Sequence, residues 1–204
     1  MSRENRFEER YKTGDTPWDH GTPDVNLIDM VTQRPISKCK ALEVGCGTGD
    51  NTIWLAQQHF VVTGCDISRT AIEKAKEKAS MSDVNCSYIV ADFLNSRIPG
   101  SPFGFVFDRG CLHSVDNDEE RRRFAESVTS HLEEGGLWLT FVGNADDQVR
   151  EIGPPQLTAR ELVSAVEPCC EIISLAASHF GSTQSDPPKA WVCLMRKRAG
   201  KHCR

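Results

Sequence analysis

Three glycines at alternate positions, Gly45, Gly47 and Gly49, follow a short apolar run that ends with Glu43 and Val44. An apolar run of this length predicts a buried parallel strand, and the residues after Gly49 follow a helical pattern. Glycine accepts positive φ angles and, having no Cβ, lets a ligand approach the backbone closely. The segment therefore predicts a ligand-binding turn between a strand and a helix.

A carboxylate, Asp66, ends the next predicted strand (61–66), seventeen residues after Gly49. In a strand–helix–strand unit such a carboxylate lies beside the glycine turn, where it binds the two hydroxyls of a ribose. Asp92 follows a third predicted strand at 86–91. Together these positions predict a site for a nucleoside cofactor. The alternative is a glycine-rich turn that binds no ligand.

Acidic residues at the turn indicate which nucleoside fits. Dinucleotide sites use the pattern G-x-G-x-x-G, but its sixth position here is Asp50, and Glu43 adds a second negative charge. These anions would repel a pyrophosphate, which binds at the positive end of a helix. S-adenosylmethionine carries an ammonium and a sulfonium and no phosphate, so acidic surroundings suit it.

The string E-V-G-C-G-T-G-D at 43–50, followed by G-C-D-I-S at 64–68, resembles the class I S-adenosylmethionine-dependent methyltransferases. The resemblance implies S-adenosyl-L-methionine as the methyl donor. It also implies a Rossmann-like, doubly wound α/β domain. The residues of the turn and of the next two strand ends that we expect to bind this donor are Glu43, Gly45, Cys46, Gly47, Thr48, Gly49, Asp66, Ile67, Asp92 and Phe93.

The N-terminal arm, residues 1–23, carries aromatic side chains. Phe7 and Tyr11 are four residues apart and would share one face of a helix, and Trp18 lies in a turn bounded by prolines. The string T-P-W-D-x-G-x-P resembles the arm of the thiopurine, thiol and halide methyltransferases and their tellurite-resistance relatives. The resemblance implies a lid in which Phe7, Tyr11 and Trp18 close over the cofactor, although the thiol/halide members have tryptophans at the first two positions. The alternative is an apolar patch that pins the arm to the core.

Asp108, Arg109 and His113 follow the fourth predicted strand (103–108), and the D-R-G string is similar to the thiopurine methyltransferase group. We expect Asp108 and Arg109 beside the transferred methyl group, with Arg109 also at the cofactor. Arg109 would hold an anionic acceptor or stabilise a thiolate, and His113 would accept a proton. Alternatively, Asp108 caps the next turn and pairs with Arg109, and His113 is a turn histidine bonded to the backbone. Cys111 is assigned to packing.

Length and patterning predict one α/β domain with seven strands, mostly parallel, and helices on both faces of the sheet. The resemblance implies that the last strand (190–195) runs antiparallel between the fifth (137–142) and the sixth (170–175). We predict an arm at 1–23, a catalytic domain at 24–198 and a tail at 199–204. Helices are expected after Ser68, after Asp116 or Asn117 as far as the pair Gly135–Gly136, and after the capping box of Thr158 and Glu161. Loops 144–156 and 178–189 are candidate walls of the acceptor pocket.

Composition limits the partners. A net charge of −5 argues against nucleic acid, and no apolar stretch approaches the roughly eighteen residues of a membrane helix. The nine cysteines show no CxxC spacing, so we expect reduced thiols and no metal site. The N-terminus lacks a secretory signal, which favours a cytoplasmic protein. The oligomeric state stays open, with a monomer plausible.

These patterns predict a methyltransferase that acts on a small molecule by direct in-line transfer, with sulfur or another soft atom as the favoured acceptor. One alternative is an O- or N-methyltransferase of a small metabolite. Another, from a different class, is a module that binds S-adenosylmethionine without catalysis.

Overall fold

Short apolar runs alternate with amphipathic segments along the chain, and in the computed structural model, which describes residues 2–34, 36–148 and 153–200, they form one sheet flanked by helices. The strands are β1 Lys40–Val44, β2 Val61–Asp66, β3 Ser87–Val90, β4 Phe103–Arg109, β5 Leu132–Asn144, β6 Gln156–Leu157, β7 Cys170–His179 and β8 Lys189–Lys197.

The helices are α1 Arg3–Thr13, α2 Val25–Gln33, α3 Asp50–Gln57, α4 Arg69–Met81, α5 Asp118–His131 and α6 Ala159–Val166, with a single 3₁₀ turn at Leu112–Ser114. Ser68 caps α4, Asn117 caps α5, and Thr158 forms the predicted capping box with Glu161. Within the described ranges, no helix is long and apolar enough to cross a bilayer.

The strand order is β3-β2-β1-β4-β5-β8-β7, with β6 paired to the end of β5. Strands β1 to β5 pair in parallel, and β8 runs antiparallel between β5 and β7, as predicted. From β1 the strands are added first toward one edge of the sheet, as β2 and β3, and then toward the other edge, as β4 and β5, so the strand order reverses between β1 and β4. In a doubly wound sheet, ligands bind at the carboxyl ends of the strands beside such a switch point.

Several boundaries differ from the sequence prediction. Gly135 and Gly136 do not end a helix: α5 ends at His131, and the glycines lie within β5. There the pairing shifts from Phe103 opposite Leu132 to Phe105 opposite Leu137, so the glycines occupy a bulge. Helix α2 and strand β6 were not predicted, and β7 extends to His179, which shortens the following loop to 180–188.

Apolar side chains cover both faces of the sheet. In β4, Phe105 and Phe107 point to one face and Val106 to the other, the alternation that an extended strand imposes. The first face is covered by α2, whose Leu27 and Val31 are buried against it. Burial on both faces is the pattern of parallel sheets, and it leaves the strand ends as the place for polar chemistry.

The division into arm, domain and tail stays a prediction, and residues 201–204 of the tail lie outside the described residues.

Helix α1 docks on the body of the protein through charged groups. The Glu8 carboxylate accepts hydrogen bonds from the Ser68 and Thr70 hydroxyls at 2.7 and 2.8 Å, at the N-terminus of α4. Lys74 of α4 donates in return to the Tyr11 carbonyl at 2.8 Å. Burial alone would raise the pKa of Glu8, but the bonds from Ser68 and Thr70 outweigh it and lower the pKa from 4.5 to about 2.

Replacing Glu8 with Gln should loosen the arm, because a hydrogen bond to a charged group contributes about 1.5–3 kcal/mol. We expect hydrogen exchange of the arm amides to rise at least tenfold at pH 7. Since the folded-state pKa is depressed, the contribution of Glu8 is full above about pH 4.5 and is lost as the pH falls toward 2. Glu9→Gln, on the exposed face of the same helix, is the control. Equal exchange in both variants would contradict this docking contact.

Candidate active site

The carboxyl ends of β1, β2 and β4 open into a cavity of about 950 Å³. Small-molecule sites usually measure about 300–1,000 Å³, so this cavity has room for a nucleoside cofactor and a small second ligand. The sheet forms its floor, the N-terminal arm covers one side, and the segments 153–157 and 180–188 contribute to the wall near β4. The two loops proposed from the sequence as acceptor walls therefore reach the cavity.

Nearly all the predicted cofactor residues line this cavity. Those that do are Phe7, Tyr11, Trp18, Glu43, Gly45, Cys46, Gly47, Thr48, Asp66, Ile67, Asp92, Phe93 and Arg109. Gly49 does not line it: it is the N-cap of α3, with a φ of +88°. Among the predicted catalytic residues, His113 lines the cavity and Asp108 does not.

The Asp66 carboxylate organises the glycine turn. One of its oxygens accepts the Gly47 N–H at 2.9 Å, and the other accepts the Ser68 N–H at 2.9 Å. Gly45 and Gly47 have φ angles of +65° and +53°, which side-chain-bearing residues rarely adopt. Burial raises the pKa of Asp66 above its usual range. A cation near this buried carboxylate would favour its charged form.

Glu43 is buried and bonded to the start of α3. Its oxygens accept hydrogen bonds from Asn51 Nδ2, at 3.0 Å, and from the Thr52 hydroxyl. Burial raises the pKa of Glu43 to about 8. The carboxylate of Asp50, the anion at the sixth position of the glycine pattern, is paired with Lys78 Nζ at 2.8 Å. Glu43 and Asp66 are therefore the buried acidic groups at the turn, and with a pKa of about 8 Glu43 is largely protonated at pH 7 until a nearby cation favours its charged form.

Aromatic side chains of the arm lie over the glycine turn. Trp18 Nε1 donates a hydrogen bond to the Tyr11 hydroxyl at 3.0 Å. The Phe7 ring packs edge-on against the Trp18 ring, with 5.9 Å between the ring centroids. The Tyr11 hydroxyl lies so close to the turn that a Cβ on Gly47 would come within 2.7 Å of it. The arm thus covers the cavity at its glycine end.

Arg109 lines the cavity, and its guanidinium donates hydrogen bonds to three protein groups that the sequence did not predict. Its Nε donates to Asp24 Oδ2 at 2.7 Å, Nη2 to the Gly181 carbonyl at 2.7 Å, and Nη1 to the Trp18 carbonyl at 3.2 Å. The guanidinium also lies 5.0 Å from the centre of the Phe180 ring. Arg109 therefore ties together the arm, the start of α2 and the loop between β7 and β8.

Asp108, predicted to lie beside the transferred methyl group, does not line the cavity. The side chain is fully buried and accepts hydrogen bonds from Trp138 Nε1 at 2.9 Å and from the Cys111 and Leu112 amides at 3.2 and 3.3 Å. Burial raises its pKa to about 6. The alternative holds, since Asp108 caps the following turn, although Arg109 pairs with Asp24 instead.

His113 is held by the backbone, as its alternative interpretation predicted. Its Nδ1 accepts the Gly143 N–H at 2.7 Å, so the proton of the neutral ring is on Nε2. Burial lowers the pKa of His113 to about 3. A ring whose acceptor nitrogen is occupied, and which resists protonation, is poorly suited to act as a general base.

The sequence analysis overlooked three polar residues at the cavity. Asp19 accepts a hydrogen bond from the Thr48 hydroxyl at 2.9 Å, and the Asp24 carboxylate accepts a hydrogen bond from Arg109 Nε. His20 lines the cavity near Arg109, and burial, then Arg109, lowers its pKa. Asp19 and His20 belong to the T-P-W-D-H-G string, which was a usable signal. Asp24 could be found only once α2 was known.

Comparison with known proteins shows which proteins the chain is similar to. A family model described as a methyltransferase domain matches residues 41–136. The chain is 30% identical over 151 residues to a probable thiol methyltransferase 2 of Arabidopsis thaliana, covering 73% of this chain and 65% of that protein. It is 29% identical over 158 residues to thiocyanate methyltransferase 1 of Brassica oleracea, covering 76% and 68%. Over about three quarters of its length the chain is therefore similar to methyltransferases.

The chain shares its fold with solved structures. One, from work on the conversion of a disulfide bond into a thioacetal group during echinomycin biosynthesis, superimposes with a TM-score of 0.82 at 23% identity, covering 98% of this chain and 94% of that chain. The chain spans about two thirds of the length of the two plant relatives.

The cavity fits S-adenosylmethionine, the methyl donor that the sequence predicts. The carboxylates of Glu43 and Asp66 suit a cationic ligand, and Asp66 lies beside the turn where a ribose would bind. When bound, S-adenosylmethionine supplies a methyl carbon attached to a positively charged sulfur. The role of each lining residue in holding it stays a prediction.

Replacing Gly47 with Val should abolish cofactor binding, because a side chain there meets both a positive φ and the Tyr11 hydroxyl. Gly135→Val is the matched control: Gly135 has a φ of +73°, but a Cβ there has no neighbour within 4 Å. Calorimetry with S-adenosylhomocysteine should show binding in the Gly135 variant and at least a hundredfold weaker binding in the Gly47 variant. Similar affinities would show that close packing at the turn is unimportant.

Replacing Asp66 with Ala should weaken S-adenosylhomocysteine binding by about two orders of magnitude or more. Two charge-assisted hydrogen bonds to the ribose would be lost, each contributing about 1.5–3 kcal/mol. Titration calorimetry measures the affinity, and circular dichroism checks that the sheet is retained. Unchanged affinity would refute the assignment of Asp66.

Proposed function

We propose that the protein transfers the methyl group of S-adenosylmethionine to a small-molecule thiol or a similarly soft nucleophile. The acceptor sulfur attacks the methyl carbon in line, the bond from that carbon to the sulfonium sulfur breaks, and S-adenosylhomocysteine leaves. The work of the protein is to align the two reactants and to exclude water. The arm over the glycine turn supports both tasks.

The observation that carries this proposal is the state of His113. Its acceptor nitrogen is engaged by the Gly143 amide, and Asp108, the other candidate base, is buried away from the cavity. A thiol has an ordinary pKa near 8.5, so part of it is ionised at neutral pH without a strong base. A hydroxyl ionises far less readily. The plant relatives named for thiol and thiocyanate methylation favour the same acceptor class.

A second candidate function is methylation of a hydroxyl or amine on a small metabolite. The imidazole of His20 favours it, because this side chain lines the cavity and forms no hydrogen bond with the residues that the structure describes. Its lowered pKa keeps it neutral at pH 7, the form that accepts a proton.

The cytoplasm is our proposed location, and we propose an acceptor that is not part of a nucleic acid. A net charge of −5 gives little attraction to phosphates. Within the described ranges, Cys39, Cys46, Cys65, Cys86, Cys111, Cys170 and Cys193 are free thiols. A reducing compartment maintains thiols in this state, whereas Cys169 is disulfide-bonded, so the expectation that the cysteines are reduced is wrong at that position.

Purified protein with S-adenosylmethionine should methylate thiophenol and leave phenol, a ligand of matched shape, at least a hundredfold slower. The reason is the lower pKa and softer character of sulfur. Release of S-adenosylhomocysteine and mass spectrometry of the products measure both rates. Faster turnover of phenol would favour the hydroxyl alternative and refute the sulfur proposal.

His113→Asn should retain thiol methylation within about threefold. The Asn side-chain oxygen can take the place of Nδ1 and accept the Gly143 N–H, which is the contact that the structure shows. A general base would behave differently, since its loss typically costs 10²–10⁴ in rate. The initial rate with thiophenol and its pH profile distinguish the two roles, and a loss of 10² or more would restore His113 as a base.

A further inference from the structure

A continuous set of hydrogen bonds joins the cofactor end of the cavity to its opposite wall. Glu43 accepts from Asn51 Nδ2 at 3.0 Å, and Asn51 Oδ1 accepts the Asp24 N–H at 2.9 Å. Asp24 Oδ2 then accepts from Arg109 Nε at 2.7 Å. We call these four residues, Glu43, Asn51, Asp24 and Arg109, the polar bridge.

Beyond Arg109 the bridge reaches two segments that surround the space for the acceptor. Nη2 of Arg109 binds the Gly181 carbonyl, and Nη1 binds the Trp18 carbonyl of the arm. Asp24 Oδ2 also accepts the Gly181 N–H at 2.9 Å. The loop 180–188, here called the acceptor wall, is therefore held at Gly181 by both members of the ion pair.

Burial and geometry make this connection specific. The Asp24 side chain is 1% exposed and that of Arg109 is 14% exposed. Because water screens neither group well, each charge is compensated by the other. The guanidinium presents its donors as a rigid planar fork, which serves three acceptors at once. A lysine carries the same charge as a single point and cannot span Asp24, Trp18 and Gly181 together.

We infer that Arg109 is a positioning residue that couples occupancy of the cofactor site to the order of the acceptor wall. Cofactor binding stabilises the glycine turn and the overlying arm, the bridge transmits this to Arg109, and Arg109 holds Gly181 in place. By thermodynamic linkage, an ordered wall tightens cofactor binding by the same factor. The inference relies on the proposed function only where it assigns the loop 180–188 to the acceptor.

Hydrogen exchange with S-adenosylhomocysteine tests this coupling without any acceptor. At saturating ligand we expect the amides of 180–188 in the unaltered protein to exchange about tenfold more slowly than in the free protein. In Arg109→Lys the ligand-induced slowing should fall to twofold or less. Arg10→Lys is the matched control, because Arg10 also lines the cavity but bonds within the arm, to Asp15.

A second variant breaks the bridge elsewhere. Asn51→Ala removes the link between Glu43 and Asp24 without leaving a buried charge unpaired, and should also abolish the ligand-induced slowing at 180–188. Saturation is set for each variant from its own calorimetric affinity. A merely structural role of Arg109 would raise basal exchange but leave the ligand-induced ratio unchanged. Slowing that persists in Arg109→Lys, or that is absent in the unaltered protein, would overturn the inference.

The same experiment separates this inference from the proposed function. If thiophenol is not methylated but the exchange pattern is as expected, the coupling stands and the acceptor class is wrong. If thiophenol is methylated but Arg109→Lys retains the ligand-induced slowing, the proposed function stands and the coupling fails.

Discussion

The buried ion pair of Arg109 with Asp24 is the interaction on which the cavity depends. The two side chains come from the end of β4 and from the cap of α2, and they bind backbone groups of the arm and of the loop 180–188. Removing one member of such a pair typically costs about 3–5 kcal/mol, because the remaining charge stays buried without a partner. Segments distant in the chain therefore form one wall only while this pair is intact.

Charge at the other end of the cavity favours the predicted cofactor. Glu43 and Asp66 are buried carboxylates whose pKa values burial raises, and each accepts hydrogen bonds that hold the glycine turn in shape. A cationic ligand offsets the cost of their burial, whereas a pyrophosphate would increase it. The same two side chains thus both shape the turn and select the charge of the ligand.

Polar residues at the end of β4 illustrate how a motif can mark a site without acting on the substrate. Asp108 supports the turn that carries Cys111, and His113 supports the backbone at Gly143. Cys111 itself is a thiol whose pKa burial raises well above its usual value, which agrees with its assignment to packing. Chemistry by alignment, with a soft acceptor, requires this kind of rigid support more than it requires an acid or a base.

The family resemblance implied the place of β8, whereas local patterns in the sequence determined the parallel strands, the glycine turn with Asp66 and the capping box, since each depends on neighbouring residues. The positive φ of Gly47 and the class of cofactor were also predictable from them. Tertiary structure alone decided the partners of Arg109, Asp108 and His113. Their hydrogen bonds reach Asp24, Trp138 and Gly143, at least 30 residues away in the chain. No periodicity or motif in one sequence encodes such contacts, because they arise only when separate elements pack together.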